Sequence, residues 1–371
     1  MEYFRQRGVY TKVPRSEAKA AGAKVITTKW VDSNKGSEEE PNYRSRLVGR
    51  ELNLSDRPGL FAATPPLESL RYMVSRCAST QHRQRPHRLM AIDVSRAYLY
   101  AEALRPVFIE LPAEDRQPGD EGMVGRLNLS LYGTRDAAQN WAVEYTRTLQ
   151  AAGFVVGKAS PCNFTHKVRD LSVTVHGDDF TSSGPEEDQR WLKDVLSKKY
   201  DIKCTVLGPE AHQAKEVNII GGALRRSDAG IEYEADPRHC AVVIQELGLE
   251  DCKPVTTPFG PEEQGCILGE GVPLEPGEAT RYRALVARLN YLALDRPDKQ
   301  LAVNEAAKIM SAPRAPDMKL LKRLGRYLTG APRAVQLFAW QDEPKEIVAY
   351  VGSDWAGDRA SRKSTSGGML F

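Results

Sequence analysis

The sequence has no long apolar run and no strong charge of either sign. No stretch approaches the roughly 18 consecutive apolar residues that a membrane span needs, so no membrane association is expected. The first residues also lack the apolar core of a secretory signal. The net charge is only +3 over 371 residues, so any binding of nucleic acid must depend on local basic patches.

The sequence also lacks a cysteine motif and a glycine-rich phosphate loop. The six cysteines and six histidines are dispersed, which excludes a zinc signature or a disulfide framework and favours a reducing, intracellular compartment. Because the sequence has no phosphate-cradling loop, the hypothesis that the chain is a phosphotransferase of that kind has no support. With 41% hydrophobic and 27% charged residues, the chain is expected to form two or three globular domains. The cysteines are Cys77, Cys162, Cys204, Cys240, Cys252 and Cys266.

Two adjacent carboxylates stand between short β-prone runs in residues 171–183. Val173 and Val175 alternate with polar residues, a pattern typical of a half-buried strand. The tripeptide Gly177-Asp178-Asp179 predicts a tight hairpin with acids at its tip. Adjacent carboxylates raise each other's pKa unless a cation neutralises them, which is consistent with a divalent-metal site. Taken alone, an ordinary Gly-Asp turn is the favoured interpretation.

A further acid follows the apolar run at residues 89–92. Asp93 ends a predicted buried strand, where desolvating an unpaired carboxylate is expensive. A cap on a helix that begins near Ser95 is the competing explanation. If Asp93, Asp178 and Asp179 converge on Mg²⁺, the site would suit phosphoryl chemistry.

Two sets of basic residues are candidates for binding phosphates. In a predicted hairpin over residues 25–50, Arg44, Arg46 and Arg50 fall at even spacing and would share one face of a strand. A solvated edge strand protected by charge explains them equally well. A predicted helix over residues 318–328 has a basic face that could follow phosphates, although a solvated surface helix is the default interpretation. Its basic residues are Lys319, Lys322, Arg323 and Arg326.

Apolar spacing predicts the remaining elements. Trp141 is expected in the core rather than as a platform for bases. A strand is predicted at residues 107–112, and a hairpin at residues 217–233 turns at Ser227-Asp228-Ala229-Gly230. Helices are predicted over residues 67–79, 136–150, 185–199, 238–247 and 281–294.

With these pieces in order, the sequence resembles the reverse transcriptase of copia-type LTR retrotransposons over nearly the whole chain. The resemblance implies an α+β fold with right-hand polymerase architecture: fingers, a palm with an antiparallel sheet, and a thumb. A connection region and an incomplete RNase H-like strand segment would follow. The motifs that carry the resemblance are KVITTKWVDSNKG with YRSRLVGRELN, MAIDVSRAYLYAEALRPVFIELP, NLSLYGTRDAAQNWAVEY, ASPCNF with HGDD, YRALVARLNYLALDRPDKQLAVNEAAKIMSAPRAPDMKLLKRLGRYLTG, and SDWAGDRASRKSTSGG.

The resemblance also implies how the chain divides. Residues 1–205 would form the fingers and palm, and residues 206–260 the primer-grip hairpin and the start of the thumb. Residues 261–340 would form thumb and connection helices, and residues 341–371 the truncated start of an RNase H-like domain. RNase H activity is not expected, because Gly352 stands where the family's first catalytic aspartate belongs.

The implied activity is that of an RNA-directed DNA polymerase, a nucleotidyltransferase that extends a primer by two-metal chemistry with Mg²⁺, or with Mn²⁺ in its place. The family's metal ligands fall on Asp93, Asp178 and Asp179, with the main-chain carbonyl of Val94 as a further oxygen. Tyr98 takes the position of the steric gate that excludes ribonucleotides.

Arg44 and Arg46 of this chain match the segment that, in the same family, grips the incoming triphosphate. The implied partners are an RNA or DNA template, a DNA or tRNA primer, deoxynucleoside triphosphates, and other parts of a Gag-Pol type polyprotein. The implied location is intracellular, in a cytoplasmic virus-like particle, in the nucleus, or in both.

The sequence departs from the family at two places near the acids. His176 and Gly177 replace the usual tyrosine and small or β-branched residue, and Gly177 is expected to loosen the turn. Asp136, Ala138 and Gln139 replace a family glutamine, proline and arginine, and a contact with template or nucleotide is expected to be lost or reversed in charge there. These departures favour the alternative hypothesis, a catalytically decayed retroelement fragment that folds and at most binds template–primer.

Overall fold

The polypeptide alternates between helices and mainly antiparallel sheets, the mixture that the α+β class predicts. The computed structural model describes residues 1–52, 59–260, 271–357 and 361–371. Cys266, the start of the predicted 261–340 region and residues 358–360 of the SDWAGDRASRKSTSGG motif lie outside these described residues.

Helices form where apolar residues recur at helical spacing. In the helix Leu67–Ser79, the side chains of Leu70, Met73, Val74 and Cys77 are buried, which is the i, i+3, i+4, i+7 pattern of one helix face. A short 3₁₀ helix also spans Ala97–Tyr100. In chain order the helices are α1 (Glu2–Arg7), α2 (Arg15–Ala20), α3 (Leu67–Ser79), α4 (Ala137–Ala151), α5 (Glu186–Ser197), α6 (Arg238–Leu247), α7 (Pro276–Ala293), α8 (Gln300–Lys308) and α9 (Met318–Gly330).

The strands lie largely where β-branched and alternating residues predict them. In chain order they are β1 (Tyr10–Pro14), β2 (Val25–Ile26), β3 (Thr28–Asn34), β4 (Tyr43–Gly49), β5 (His87–Val94), β6 (Phe108–Ile109), β7 (Met123–Leu127), β8 (Val155–Val156), β9 (Asn163–His166), β10 (Leu171–His176), β11 (Asp179–Pro185), β12 (Ile202–Leu207), β13 (Glu216–Ile219), β14 (Gly222–Arg226), β15 (Gly230–Glu234), β16 (Val335–Ala339), β17 (Ala349–Ser353) and β18 (Ser366–Leu370).

The predicted helices are confirmed, although their ends differ by a few residues. The hairpin predicted at residues 217–233 is confirmed for β14 and β15, whereas its first arm divides into two paired strands, β13 and β14. Helix α7 begins earlier than predicted, at Pro276, because proline is well suited to the first turn of a helix. The predicted strand at residues 107–112 shortens to Phe108 and Ile109, the two residues that pair with both β2 and β7.

The acids lie on a six-stranded sheet in the order β12-β5-β11-β10-β9-β8. Trp141 of α4 packs with Phe180 in the core on one face, and α3 packs with Leu89 on the other. Because both faces are covered, the prediction of a half-buried strand is wrong for β10. Thr174 in that strand is only 2% exposed, and its hydroxyl donates to Asn163 Oδ1 at 2.8 Å.

Other sheets and the later helices make up the rest of the described structure. A four-stranded sheet has the order β13-β14-β15-β16, a second has the order β1-β7-β6-β2, and β3-β4 and β17-β18 form two-stranded sheets. Strand β16 thus brings residues after the helices back onto the hairpin at residues 222–234. Helices α6 to α9 share a separate core around Tyr282, Leu289 and Leu324.

No helix in the described ranges is both long enough and apolar enough to cross a bilayer.

Candidate active site

Two of the predicted acids face each other across neighbouring strands. Asp179, the first residue of β11, pairs directly with Asp93 on β5, and Asp93 pairs on its other side with Lys203 on β12. Residues directly opposite in antiparallel strands point to the same face, with Cβ atoms about 4.5–5.5 Å apart. Asp179, Asp93 and Lys203 therefore form a row across one face of the sheet.

The third acid lies in the turn between β10 and β11. Gly177 and Asp178 form a two-residue loop, because His176 pairs with Asp179. Gly177 has a φ of 64°, and a positive φ at the first loop residue matches a type II′ turn. Glycine therefore suits this position, since this backbone conformation favours it.

Two hydrogen bonds fix this turn to the rest of the site. Trp141 Nε1 donates to the Gly177 carbonyl at 2.7 Å, and the Val94 amide donates to the Asp178 carbonyl at 3.0 Å. Trp141 is buried, as predicted, and its bond to the turn is a contact that the sequence did not reveal. The bond from Val94 holds the turn beside the strand that carries Asp93.

The charges of Asp178 and Asp93 act on Asp179. Partial burial of its carboxyl group raises the pKa of Asp179, and the neighbouring carboxylates of Asp178 and Asp93 raise it further, while His176 opposes them. Carboxylate oxygens are the ligands that Mg²⁺ and Mn²⁺ prefer, so the donor chemistry fits a divalent cation. Within the described part of the chain, no group of three or more His, Cys, Asp or Glu side chains is gathered so that it could hold a metal ion.

A groove of about 360 Å³ opens along the same face of the sheet. Asp93, Asp179 and Lys203 line one side of this groove, and Glu216 and Asn218 of β13 line the other. Lys203 was missed from the sequence. Its place beside the acids follows only from the register of β12 against β5.

Tyr98 and Arg46 lie on the side of the site where Asp178 stands. Burial raises the pKa of Tyr98, and the Asp178 carboxylate raises it further. The Tyr98 ring stacks on that of Tyr132, with ring centroids 4.5 Å apart. Burial and Asp178 raise the pKa of Tyr132 to about 12, and the nearby Arg46 guanidinium opposes that rise.

Two of the three arginines predicted to share a face lie within strand β4. Arg44 and Arg46 share one face, opposite Ser33 and Val31 of β3. The prediction that Arg50 extends this face is wrong, because Arg50 lies beyond the end of β4 and its amide donates to the Thr27 carbonyl at 2.8 Å.

The basic residues of α9 fall into two pairs. Arg323 donates to the carbonyl and the hydroxyl of Thr257, and Arg326 Nε donates to the Lys253 carbonyl at 2.8 Å. These bonds tie residues 253–257 to the helix. Lys319 and Lys322 are exposed on the same helix. The four basic residues therefore share one helix, and two of them, Arg323 and Arg326, also bind residues 253–257.

Asp136 does not face the groove. It is 4% exposed, and its carboxylate accepts hydrogen bonds from Arg105 at 2.9 Å and from Asn140 Nδ2 at 3.1 Å. As the N-cap of α4, this residue is held in an internal ion pair with Arg105, so its carboxylate is not free to contact a template or nucleotide.

A family model described as "Reverse transcriptase (RNA-dependent DNA polymerase)" matches residues 11–261, and the chain belongs to this family. It is 29% identical over 367 residues to the retrovirus-related Pol polyprotein from transposon RE1 of Arabidopsis thaliana, covering 96% of this chain and 23% of that protein. It is 24% identical over 380 residues to the corresponding polyprotein from transposon TNT 1-94 of Nicotiana tabacum, covering 99% and 27%.

These matches confirm the resemblance to copia-type transposon reverse transcriptases. The chain spans about a quarter of the length of these curated relatives. Among solved structures, one of the foamy viral protease-reverse transcriptase dRH in complex with ds DNA has a TM-score of 0.47 and 10% identity, covering 94% of this chain and 49% of that chain.

Proposed function

We propose that this chain is the RNA-directed DNA polymerase of a copia-type retrotransposon and extends a primer by nucleotidyl transfer. One observation carries the proposal: the register that sets Asp179 directly opposite Asp93 while a two-residue turn presents Asp178 beside them. Three carboxylates at one edge of a sheet are costly unless they serve a cation.

In this proposal the six-stranded sheet is the palm, the β3-β4 hairpin belongs to the fingers, and helices α6 to α9 form the thumb and connection. The fingers and palm would extend to the end of β12 at Leu207, because β12 pairs with β5. The sheet formed by β13, β14 and β15 would supply the primer grip, and residues 341–371 the start of an RNase H-like domain.

Each residue near the turn has a proposed part. Asp93, Asp178 and Asp179, with the carbonyl of Val94, would hold Mg²⁺ ions, which when bound activate the primer hydroxyl and neutralise charge on the phosphates. Tyr98 excludes the 2′-hydroxyl of a ribonucleotide.

The basic residues are proposed to bind phosphates on both sides of the acids. Arg46 binds the incoming triphosphate, since its guanidinium acts on Tyr132, the ring on which Asp178 also acts, and Arg44 supports it from farther along β4. Lys203, beside Asp93 in the groove, binds a backbone phosphate of the primer. Lys319 and Lys322 contact the template–primer duplex from α9.

The proposed partners are an RNA or DNA template, a DNA or tRNA primer and deoxynucleoside triphosphates. Because the matched relatives are Pol polyproteins, the chain is also proposed to work beside other parts of such a polyprotein.

Primer extension on an RNA template with Mg²⁺ tests the proposal. The wild-type chain should extend the primer, and Asp178→Asn should reduce the rate at least about 100-fold, because several kcal/mol of charge stabilisation are lost. Asp194→Asn on the exposed side of α5 is the matched control and should extend normally. Equal extension by wild type and Asp178→Asn, or no extension by either, would contradict the proposal.

A second candidate function is template–primer binding by a catalytically decayed copy. The presence of His176 and Gly177 beside the acids, in place of the family's usual residues, favours this second function. A gel shift that falls steeply with salt, from a chain that gives no extension, would support this alternative over the first.

A further inference from the structure

Tyr132 is an aromatic neighbour of Tyr98. Their rings stack with centroids 4.5 Å apart and planes inclined by 30°. The Tyr132 hydroxyl also accepts a hydrogen bond from the Tyr98 backbone amide. Tyr132 therefore contacts both the ring and the main chain of Tyr98.

The backbone of Tyr132 is itself held firmly. Its carbonyl accepts from the amide of Gly49, at the end of β4, at 2.7 Å. The next residue, Gly133, has a φ of +82°, and a Cβ there would lie 2.1 Å from the Gly49 carbonyl oxygen. On its other side, Leu131 is fully buried in the core. The Tyr132 ring thus projects from a backbone fixed between β4 and the interior.

The stacked pair lies close enough to the acidic turn and to Arg46 of β4 for both charges to act on it. After burial, the Asp178 carboxylate raises the pKa of both tyrosines, and the Arg46 guanidinium opposes that rise at Tyr132. A nucleotide that reached from Arg46 to the acids would pass beside these two rings.

We propose that Tyr132 is a positioning residue for sugar discrimination, holding the Tyr98 ring against the 2′ position of the incoming nucleotide. This inference rests on the proposed polymerase function. A site that must reject a substrate carrying one extra hydroxyl discriminates poorly when its wall can move. Aromatic stacking adds about 0.5–1.5 kcal/mol to a contact, enough to keep the Tyr98 ring from swinging into another rotamer.

The ratio of kcat/KM for dGTP to that for GTP, in single-nucleotide incorporation, measures this role. Tyr132→Leu removes the stack and should lower the ratio roughly 3- to 10-fold. Tyr132→Phe keeps the ring and loses only the hydroxyl, so it should retain most of the discrimination. Tyr72→Leu on the exposed side of α3 is the control and should leave the ratio unchanged.

A double variant separates positioning from direct contact. In a Tyr98→Ala background, Tyr132→Leu should change the ratio no further, because the ring that it holds is gone. Competition of dGTP and GTP for the complex with primer–template, followed by gel shift, gives the same comparison without turnover.

Three outcomes would overturn the inference. A ratio unchanged in Tyr132→Leu, or one that falls again in the Tyr98→Ala background, rejects it while leaving the polymerase proposal intact. A wild-type chain that neither incorporates nor binds any nucleotide rejects both.

Discussion

Gly177 and Trp141 together decide where Asp178 stands. Gly177 supplies the positive φ of the turn, and Trp141 binds its carbonyl from the buried side. A Cβ added at Gly177 would meet nothing within 4 Å, so sterics with neighbours do not require glycine. The requirement lies in the backbone conformation alone.

Gly177→Val should therefore lower the free energy of unfolding by about 1–2 kcal/mol, the cost of a left-handed conformation for a residue with a Cβ. Chemical denaturation measures this difference. Gly277→Val near the start of α7 is the matched control, because Gly277 has open space and no positive φ. An equal loss at both positions would contradict this account of the turn.

At the scale of elements, the basic residues on one face of α9 differ in what they contact. Arg323 and Arg326 fasten residues 253–257 to the helix, whereas Lys319 and Lys322 extend from it into solvent. The basic spacing in the sequence predicted a single phosphate-binding face. The structure divides that face because guanidinium groups, with several donors each, satisfy backbone carbonyls well.

The two pairs of basic residues should respond differently to substitution. Lys319→Gln with Lys322→Gln should weaken template–primer binding and make its salt dependence shallower, by up to about 0.9 in log–log slope for each lost phosphate contact, with little change in Tm. Arg326→Met should instead lower the Tm. Gel shifts over a salt series and thermal denaturation distinguish the two. A slope unchanged in the double lysine variant would remove α9 from the nucleic-acid interface.

Across the whole molecule, Glu234 links the hairpin sheet to the segment that follows the helices. It is 4% exposed, and it accepts hydrogen bonds from Arg333 ahead of β16 and from Arg225 on β14, both at 2.5 Å. These two guanidinium groups, Arg333 first, lower its pKa to about 2. The ion pairs therefore fasten β16 to the strands that precede α6 to α9.

Because folding lowers the pKa of Glu234, its stabilising effect is complete above the unfolded value of 4.5 and is lost as the pH falls toward 2. Glu234→Gln should reduce the free energy of unfolding by about 2–3 kcal/mol at pH 7. The difference from wild type should shrink between pH 4.5 and pH 2. Urea denaturation at several pH values measures it, with Glu246→Gln on the exposed side of α6 as the control. A difference that stays constant with pH would exclude this ion pair as its source.

The sequence by itself determined most of the elements and the chemical types at the site. Helical spacing predicted α3 and α6, alternation and turn residues predicted the hairpins, and ordered motifs identified the reverse transcriptase family. These signals are local, so they are readable without knowing what packs against them.

Only the tertiary structure decided which residues meet. The register of β11 and β12 against β5 set Asp179 and Lys203 on either side of Asp93. The docking of α4 turned Trp141 toward the acidic turn and buried Asp136 against Arg105. Strand register and helix docking depend on burial summed over the whole core, and no short stretch of sequence contains that sum.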